Sequence, residues 1–201
     1  MELRIEQLAF EYASHPLFRQ FDLQLGNGIT WLRGENGAGK TTLLKLAGGA
    51  LTPHGGKIWL DDIEIHAQPL TYRLHCYYCG GDTPALPWLT VREVLDMHIA
   101  LYAGADPERL NTELQAFHLL PTLDQPVTTL SLGQHKKMQL SLALSLPVGL
   151  LLIDEPFNGL DADAVAYLRQ QLEAPERLAR QCILLTSHVE PALPLVKTVQ
   201  L

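Results

Sequence analysis

This chain has few cysteines, no excess of basic residues and no long uninterrupted apolar run. Three cysteines in 201 residues are too few for a disulfide framework and are typical of a reducing compartment. Lys and Arg number 15 against 22 Asp and Glu, and this net charge of −7 argues against nucleic-acid or anionic-membrane partners. The most apolar stretch, residues 140–153, is interrupted by serines, a proline and a glycine. We therefore expect a soluble, unexported protein that binds no nucleic acid.

A phosphate-binding loop is the most specific motif in the chain. Residues 34–42 match G-x-x-x-x-G-K-[ST], with an apolar run at 29–32 before them and a helix-forming run at 43–47 after them. The motif requires this context of strand, loop and helix, which disfavours a glycine-rich turn without a ligand. The residues predicted to bind the nucleotide here are Gly34, Glu35, Asn36, Gly37, Ala38, Gly39, Lys40, Thr41 and Thr42.

The composition of this loop suits a nucleotide with Mg²⁺. Its glycines allow a tight turn and a close approach of the backbone, and N–H groups at the start of the helix face phosphate oxygens. Lys40 supplies a positive charge for the β- and γ-phosphates, and the Thr41 hydroxyl suits a magnesium ion that keeps several waters. We therefore predict that Lys40 is a catalytic residue and that Thr41 is a metal ligand.

Two later strands are predicted to end in residues that can act on such a ligand. Residues 150–153 form an apolar run typical of a buried parallel strand, and Asp154 and Glu155 follow it directly. We predict that Asp154 holds Mg²⁺ and that Glu155 orients or deprotonates a water. His188 ends another buried strand and is predicted to contact the γ-phosphate. The acidic pair could cap a turn and the histidine could be a core residue, but the phosphate loop favours the catalytic interpretation.

Three other features allow either a structural or a functional interpretation. Tyr12 could cover a sheet edge or stack on a base, and the phosphate loop favours stacking. Ser131 is predicted to cap a helix, whose first turn and two following lysines form either an anion site or an ordinary helix start. Cys76 and Cys79 form a C-x-x-C pair without a second pair, so a buried strand is favoured over a metal or redox site.

The hydropathy pattern predicts an α/β protein with one sizeable core. Alternation at residues 3–8 and 21–25 predicts antiparallel strands joined by a turn at 14–16, and a second hairpin is predicted at 57–65. From Thr90 to about residue 129 the pattern is helical and carries no catalytic constellation, so we expect this stretch to present a surface. Its predicted apolar face contains Val91, Val94, Leu95, His98 and Leu101.

In their order and context, these motifs resemble those of the ATP-binding subunits of ABC transporters. The order is the phosphate loop, then Leu-Ser-Leu-Gly-Gln at 130–134, Asp-Glu-Pro at 154–156, Gly-Leu-Asp at 159–161, and His188. The resemblance covers nearly the whole chain. It implies a P-loop NTPase core of the ABC type with an antiparallel β-subdomain and a helical subdomain insertion at about 90–146, within a single domain of residues 1–201.

The resemblance also implies ATP as ligand, Mg²⁺ as cofactor and a role for individual residues. Tyr12 would stack on adenine, Asp154 would hold the metal and Glu155 would be the general base. Asp161 would be the D-loop residue and His188 the switch histidine. Two chains, as a homodimer or heterodimer, would enclose two ATP molecules. The residues that would complete the ATP site of the other protomer are Ser131, Gly133 and Gln134.

The chain departs from the family pattern at two positions. The family usually has glycine where this chain has Leu132, and a leucine Cβ restricts φ and crowds the approach to a neighbouring γ-phosphate. The family also has a glutamine after the strand near Cys79. In this chain Asp82 is the side chain in that region that could reach the water shell of the metal. Both departures concern the coupling of nucleotide binding to partner proteins.

Taken together, these features favour an ATP-hydrolysing subunit that drives a separate transmembrane permease from the cytoplasmic face of the inner membrane. The chain length is similar to that of compact export-type subunits, including the haem-exporter ATPases of cytochrome c maturation. The helical insertion and the bend at residues 84–88 would form the docking surface. The alternative is a soluble ABC-type ATPase that acts on a protein complex, as in iron–sulfur cluster assembly. A kinase or GTPase is disfavoured by the 130–134 element and by the absence of an N-K-x-D motif.

Overall fold

The computed structural model describes residues 1–13, 15–81 and 86–201, and its strands form two sheets. The strands are β1 (Leu3–Tyr12), β2 (His15–Leu25), β3 (Gly28–Arg33), β4 (Gly55–Leu60), β5 (Ile63–Glu64), β6 (Cys76–Cys79), β7 (Leu150–Ile153), β8 (Cys182–Thr186) and β9 (Leu195–Gln200). The helices are α1 (Lys40–Ala47), α2 (Pro69–Leu74), α3 (Val91–Leu101), α4 (Pro107–Ala116), α5 (Leu132–Ser145), α6 (Ala162–Glu173) and α7 (Pro175–Arg180), with 3₁₀ turns at Leu120–Thr122 and Val127–Thr129.

The first sheet is antiparallel, as the alternation of apolar and polar residues predicts. Its strand order is β2-β1-β4-β5, and the side chains of Leu3 and Ile5 point into the core. The predicted turn at residues 14–16 is wrong in part. His15 and Pro16 are the first residues of β2, because pairing between Tyr12 and His15 extends the ladder to the tip of the hairpin. Ser14 lies outside the described residues.

The second sheet brings the ends of several buried strands to one edge. Its order is β6-β7-β8-β3-β9, and β8 runs parallel to both β7 and β3. Every residue of β7 and β8 is buried, as expected for parallel strands covered on both faces. Since the carboxyl ends of parallel strands meet at one edge, the segments after β3, β7 and β8 lie close together. These three segments contain the predicted phosphate loop, the acidic pair and His188.

The cysteine pair lies in β6, as predicted, and its thiols are buried. Cys76, Cys79 and the third cysteine, Cys182, are all free and buried. Burial raises the pKa of the Cys76 thiol well above its usual range and that of Cys182 to about 12. Within the described residues, no group of three or more His, Cys, Asp or Glu side chains could hold a metal. These observations favour a structural role for the cysteines, because the reactive form of cysteine is the thiolate.

The raised pKa values predict that the native thiols are chemically inert. At pH 8 a thiol-reactive disulfide reagent should leave the folded chain unlabelled, because deprotonation of Cys76 or Cys182 is strongly disfavoured. Unfolding in denaturant should release all three thiols, which serves as the positive control. Rapid labelling of the folded chain, or stoichiometric zinc in the purified protein, would contradict this structural interpretation of the cysteines.

The described residues group into two compact units. The first contains residues 1–78, 148–155 and 173–201, with one apolar core that both sheets share. The second contains residues 79–147 and 156–172, in which α4 packs against α5. Thr90 caps α3 through a capping box with Glu93, as the sequence predicts. Leu101 departs from the predicted apolar face, being 58% exposed, because it is the last residue of α3 and the chain turns extended at Tyr102.

The helices also bear on whether the chain could enter a membrane. None of the helices in residues 1–13, 15–81 and 86–201 combines the length and the apolarity that a membrane span requires. The longest, α5, has 14 residues and the most apolar segment of the sequence continues from it into β7. The apolar run noted in the sequence is therefore divided between a helix and a buried strand.

Candidate nucleotide-binding site

The phosphate loop connects β3 to α1 and encloses the ammonium of Lys40. Gly37 and Gly39 have positive φ values of 84° and 101°, a conformation that L-residues rarely adopt. A Cβ at Gly39 would lie 3.0 Å from the side chains of Leu17 and Phe18, so a larger residue would also crowd these side chains. The Lys40 Nζ donates to the carbonyl oxygens of Gly34 and Glu35 at 2.8 and 3.0 Å. The loop thus curls around a buried positive charge.

Asp154 is held by two hydroxyl groups at the end of β7. The Thr41 hydroxyl donates to Oδ2 of Asp154 at 2.6 Å, and the Thr186 hydroxyl donates to Oδ1 at 2.6 Å. These bonds join the start of α1, the end of β7 and the end of β8. These hydroxyl donors, one to each carboxylate oxygen, fix the orientation of the Asp154 side chain.

Glu155 has a constrained backbone and a histidine beside its carboxylate. Its φ is +48°, an uncommon value for a residue with a Cβ, and its N–H donates to the Thr186 hydroxyl at 2.8 Å. His188 Nε2 lies 3.6 Å from Glu155 Oε1, with the histidine side chain 55% exposed and the glutamate 21% exposed. The Glu155 carboxylate and the His188 imidazole therefore lie side by side, beyond the carboxyl ends of β7 and β8.

Tyr12 is the last residue of β1 and lies beside the start of α1. Its hydroxyl is 3.4 Å from Oγ1 of Thr42, and the ring of Phe10 contacts it edge-on at 4.9 Å between centroids. Half of the Tyr12 surface is exposed. The ring is therefore supported on one side and open on the other, a geometry that suits stacking on a flat ligand.

A cavity of about 480 Å³ joins these groups within the first unit. This volume is within the range of small-molecule sites, which is about 300–1,000 Å³. The lining residues are Tyr12, Leu17, Asn36, Gly37, Gly39, Lys40, Thr41, Thr42, Asp154, Glu155 and His188. The fold thus brings together residues from four separate parts of the sequence, and among the described lining residues Leu17 is one that the sequence did not indicate.

Four other predicted site residues lie in the second unit. Ser131 and Gln134 form a reciprocal capping box at the start of α5, in which each side chain accepts the backbone N–H of the other residue. Asp161 accepts the Ala164 N–H at 2.9 Å at the start of α6. Gly133 lies between the capping residues in the first turn of α5. Asp82, the remaining predicted metal ligand, lies outside the described residues.

Lys137, one of the two lysines after Gln134, does not contribute to the anion-binding surface that the sequence suggested. The Lys137 ammonium donates to Asp161 Oδ2 at 2.5 Å, and its side chain is only 13% exposed. The bonds from Lys137 and from the Ala164 N–H hold the pKa of Asp161 below its usual value. Lys137 is therefore directed to a carboxylate of its own chain.

Thr186 is a site residue that sequence reasoning missed. It is fully buried, donates to the carboxylate of Asp154, the predicted metal ligand, and accepts from the backbone N–H of Glu155, the predicted general base. The available signal was a polar residue at the end of an otherwise apolar strand, two positions before His188. Its partners become evident only when β8 is known to lie beside β7.

Thr186→Val should lower the maximal rate of ATP hydrolysis about tenfold, because Asp154 and the Glu155 backbone both lose their shared partner. The free energy of unfolding should fall by about 1–3 kcal/mol, since a buried donor and acceptor pair is lost. Steady-state kinetics and thermal unfolding measure the two effects. Thr186→Ser keeps the hydroxyl and is the matched control. A Thr186→Val rate within about twofold of the wild-type rate would refute this role.

The donor set fits a nucleoside triphosphate with a bound magnesium ion. The positive-φ glycines and Lys40 form a cradle for phosphate oxygens. The Thr41 hydroxyl and the Asp154 carboxylate converge within hydrogen-bond distance and supply the hard oxygen donors that Mg²⁺ prefers. A protein that offers one or two such oxygens leaves further coordination positions to phosphate and water.

The strand, phosphate loop and helix, together with carboxylates at the end of the next strand but one in the sheet, define a P-loop nucleoside triphosphatase. The ABC transporter family model matches residues 18–158. A cytochrome c biogenesis ATP-binding export protein CcmA from Legionella pneumophila (strain Lens) is 33% identical over 198 residues, or 97% of this chain and 96% of the relative. The protein of the same name from Bordetella bronchiseptica is 37% identical over 78% of this chain and 70% of its own length.

Solved structures agree with these sequence relationships. The structure of an ATP binding subunit of an ABC transporter matches with a TM-score of 0.84 and 29% identity, over 94% of this chain and 80% of that one. A putative ABC transporter ATP-binding protein from Pyrococcus furiosus matches over 100% of this chain and 98% of its own, with a TM-score of 0.77 and 21% identity, and so supports the fold. The chain belongs to the ABC transporter family and is an ATP-binding, ATP-hydrolysing subunit. The predicted family, α/β fold and enzyme class are confirmed, and none of these matches is an iron–sulfur assembly ATPase.

Proposed function

We propose that this chain supplies the energy of ATP hydrolysis to a separate transmembrane permease that exports a component needed for cytochrome c biogenesis. Similarity to the CcmA export proteins over 97% of the chain supports this specialisation within the family. The enzymatic part is supported by the cavity in which the phosphate loop meets Asp154, Glu155 and His188. The chain would act as a peripheral subunit at the cytoplasmic face of the inner membrane.

In the proposed site, the phosphate loop and Lys40 bind the triphosphate while Tyr12 stacks on adenine. The N–H groups at the start of α1 contact phosphate oxygens, and the Lys40 ammonium adds the charge that these oxygens require. The half-exposed Tyr12 ring and its hydroxyl contact with Thr42 support this placement of the base near the end of β1. The further loop residues in this role are Gly34, Glu35, Asn36, Gly37, Ala38, Gly39 and Thr41.

Thr41 and Asp154 would hold Mg²⁺, with Asp82 as a third candidate on the basis of resemblance alone. When bound, the ion neutralises phosphate charge and orients the terminal phosphoryl group. The hydroxyl of Thr186 donates to Oδ1 of Asp154 and so orients the carboxylate, which then needs little rearrangement to serve as a ligand. This proposal predicts that chelation of magnesium stops hydrolysis.

Glu155 is the proposed general base for the attacking water. Its N–H bond to Thr186 and its positive φ fix the direction in which the carboxylate projects. A carboxylate that accepts a proton from water in the transition state contributes about 10²- to 10⁴-fold to a rate. His188 lies beside this carboxylate and would contact the γ-phosphate, so that it links the position of the base to the presence of the nucleotide.

We further propose that two chains act together as a homodimer or heterodimer. Ser131, Gly133, Gln134 and Asp161 would meet the nucleotide held by the other chain, which gives the second unit a role in catalysis. The start of α5 supports this role, because its N–H groups form an anion-binding end. In this proposal residues 1–201 form a single domain in which about 90–146 are the helical subdomain.

The permease would dock on the second unit near Trp88. This side chain is 75% exposed, and aromatic residues such as tryptophan are enriched in protein–protein interfaces. Coexpression with a candidate polytopic membrane permease tests the docking, with Trp88→Ser as the variant. The wild-type chain should sediment with membranes and Trp88→Ser should not, while both bind ATP equally. Recovery of the wild-type chain in the supernatant despite a membrane-inserted permease would count against this proposal.

Leu132 should limit ATP-driven dimerisation, because it is 93% exposed at the first position of α5, where a glycine would allow a closer approach. Leu132→Gly in a Glu155→Gln background should therefore dimerise more tightly with ATP. Its melting temperature without nucleotide should fall slightly, since glycine costs up to about 1 kcal/mol in a helix. Light scattering and calorimetry separate the two effects. Weaker dimerisation at unchanged ATP affinity would instead show that Leu132 packs against the other chain.

A further inference from the structure

One face of α5 contacts the loop at residues 159–161, which follows Asp154 and Glu155 in the sequence. Gly133 and Lys137 are four residues apart on α5 and therefore lie on the same side of the helix. A Cβ at Gly133 would lie 3.0 Å from the carbonyl oxygen of Gly159. One turn further along α5, Lys137 donates to Asp161 at 2.5 Å. The segment from Gly159 to Asp161 thus contacts α5 at two points, a close packing contact at Gly133 and an ion pair at Lys137.

The ion pair between Lys137 and Asp161 is better ordered than an average surface pair. The Lys137 side chain is 13% exposed, so its aliphatic part is packed and its ammonium has limited freedom. One Asp161 oxygen receives this ammonium while the other accepts the Ala164 N–H. The carboxylate is therefore fixed by α5 on one side and by the start of α6 on the other.

The start of α5 and the segment at residues 159–161 are the two elements that, in the proposed function, meet the nucleotide of a second chain. The side chains of Ser131 and Gln134 are engaged with each other's backbone in the capping box. The contacts between this helix end and residues 159–161 are instead made by Gly133 and Lys137. Lys137 lies on the Gly133 side of the helix and does not offer its charge to the surface at the capping box. Its action on the site must pass through Asp161.

We propose that Lys137 is a positioning residue for ATP hydrolysis, which holds Asp161 and the start of α5 as one preformed surface for the nucleotide bound by a second copy of this chain. The inference rests on the function proposed above. Because the pair is formed within one chain before dimerisation, it lowers the ordering cost when the dimer closes. Loss of Lys137 should then affect closure and turnover more than the capture of ATP by a single chain.

Lys137→Met, which keeps an unbranched side chain one atom shorter and without the charge, tests the proposal beside Lys137→Arg. For Lys137→Met we expect a maximal hydrolysis rate about tenfold lower and, in a Glu155→Gln background, an ATP-driven dimer about tenfold weaker. The KM for ATP, the ATP affinity of the monomer and the melting temperature should stay near the wild-type values. Lys137→Arg should restore most of the rate, because its guanidinium can pair with the same carboxylate.

A double-variant cycle with Asp161→Asn provides a second measurement. Asparagine can still accept the Ala164 N–H at the start of α6, so this variant removes the charge and retains the cap. If Lys137 acts through Asp161, the double variant should lose no more activity than Asp161→Asn alone. Multiplicative losses in the double variant, or a rate loss in Lys137→Met matched by a lower melting temperature and not restored by arginine, would overturn the proposal.

The same experiment separates failure of this inference from failure of the proposed function. If the wild-type chain hydrolyses ATP and dimerises with it while Lys137→Met does both within about twofold, only the positioning role is refuted. If the chain that carries Glu155→Gln alone, with Lys137 unchanged, does not dimerise with ATP, the proposed dimeric mechanism fails and the inference fails with it.

Discussion

Glu155→Gln is expected to lower the maximal rate of ATP hydrolysis by at least about one hundredfold while leaving ATP affinity nearly unchanged. The amide has the shape of the carboxylate but cannot accept a proton from water. The Glu155 backbone N–H still donates to Thr186, so the local geometry of the loop should survive the substitution. Binding and chemistry should separate in this variant, because the proposed role of the Glu155 carboxylate is to activate the attacking water.

The accumulation of ATP-bound dimers is the second expected result for Glu155→Gln. If hydrolysis is what allows the two chains to part, blocking it should keep them together as long as ATP is present. Light scattering with ATP and Mg²⁺, and again after chelation of the metal, measures this effect. Glu190→Gln is the matched control, since Glu190 is an exposed carboxylate two residues beyond His188 and should hydrolyse ATP at the wild-type rate. Monomers throughout would argue against Glu155 as the base or against the proposed dimer.

Lys40→Ala is expected to weaken ATP binding by about 10- to 150-fold, which corresponds to about 1.5–3 kcal/mol for a charge-assisted hydrogen bond. The ammonium is also the donor to the carbonyl oxygens of Gly34 and Glu35, so its loss removes the group around which the loop curls. Both effects act in the same direction. The variant should therefore lose affinity for ADP as well as for ATP.

Calorimetric titration with ATP and with ADP measures the Lys40 effect, and Lys45→Ala provides a matched control. Lys45 lies in the last turn of the same helix and does not line the cavity, so its removal changes the net charge equally. We expect its ATP affinity to stay within about twofold of the wild-type value. Unimpaired ATP affinity in Lys40→Ala would rule out the phosphate loop as the nucleotide site.

The chemistry of the phosphate loop could be predicted from sequence because its parts are adjacent along the chain. The turn needs glycine at Gly37 and Gly39, and the lysine follows at the first residue of the helix, so short-range geometry alone brings them together. The same holds for the capping box of Ser131 and Gln134, which are three residues apart. Buried strands before Asp154 and His188 were likewise evident from continuous apolar runs.

Contacts between distant residues could not be predicted in this way. Thr186 reaches Asp154 across 32 positions because β7 and β8 are neighbours in the sheet, and hydropathy does not encode strand order. The pairing of His15 with Tyr12 extended a strand through residues that have turn composition. Composition likewise could not show which of two consecutive lysines, Lys136 or Lys137, would face Asp161, because that depends on the rotation of α5 against the loop.

The sequence by itself therefore determined the class of ligand, the family and the local loop that binds phosphate, because these depend on residues a few positions apart. Only the tertiary structure decided how the side chain of Asp154 and the backbone of Glu155 are held and which charges are paired. Thr186 and Lys137 act through residues 32 and 24 positions away, and strand order and helix packing set those distances. Side-chain direction at such positions follows from the balance of burial and hydrogen bonding over the whole fold, and a linear pattern does not contain it.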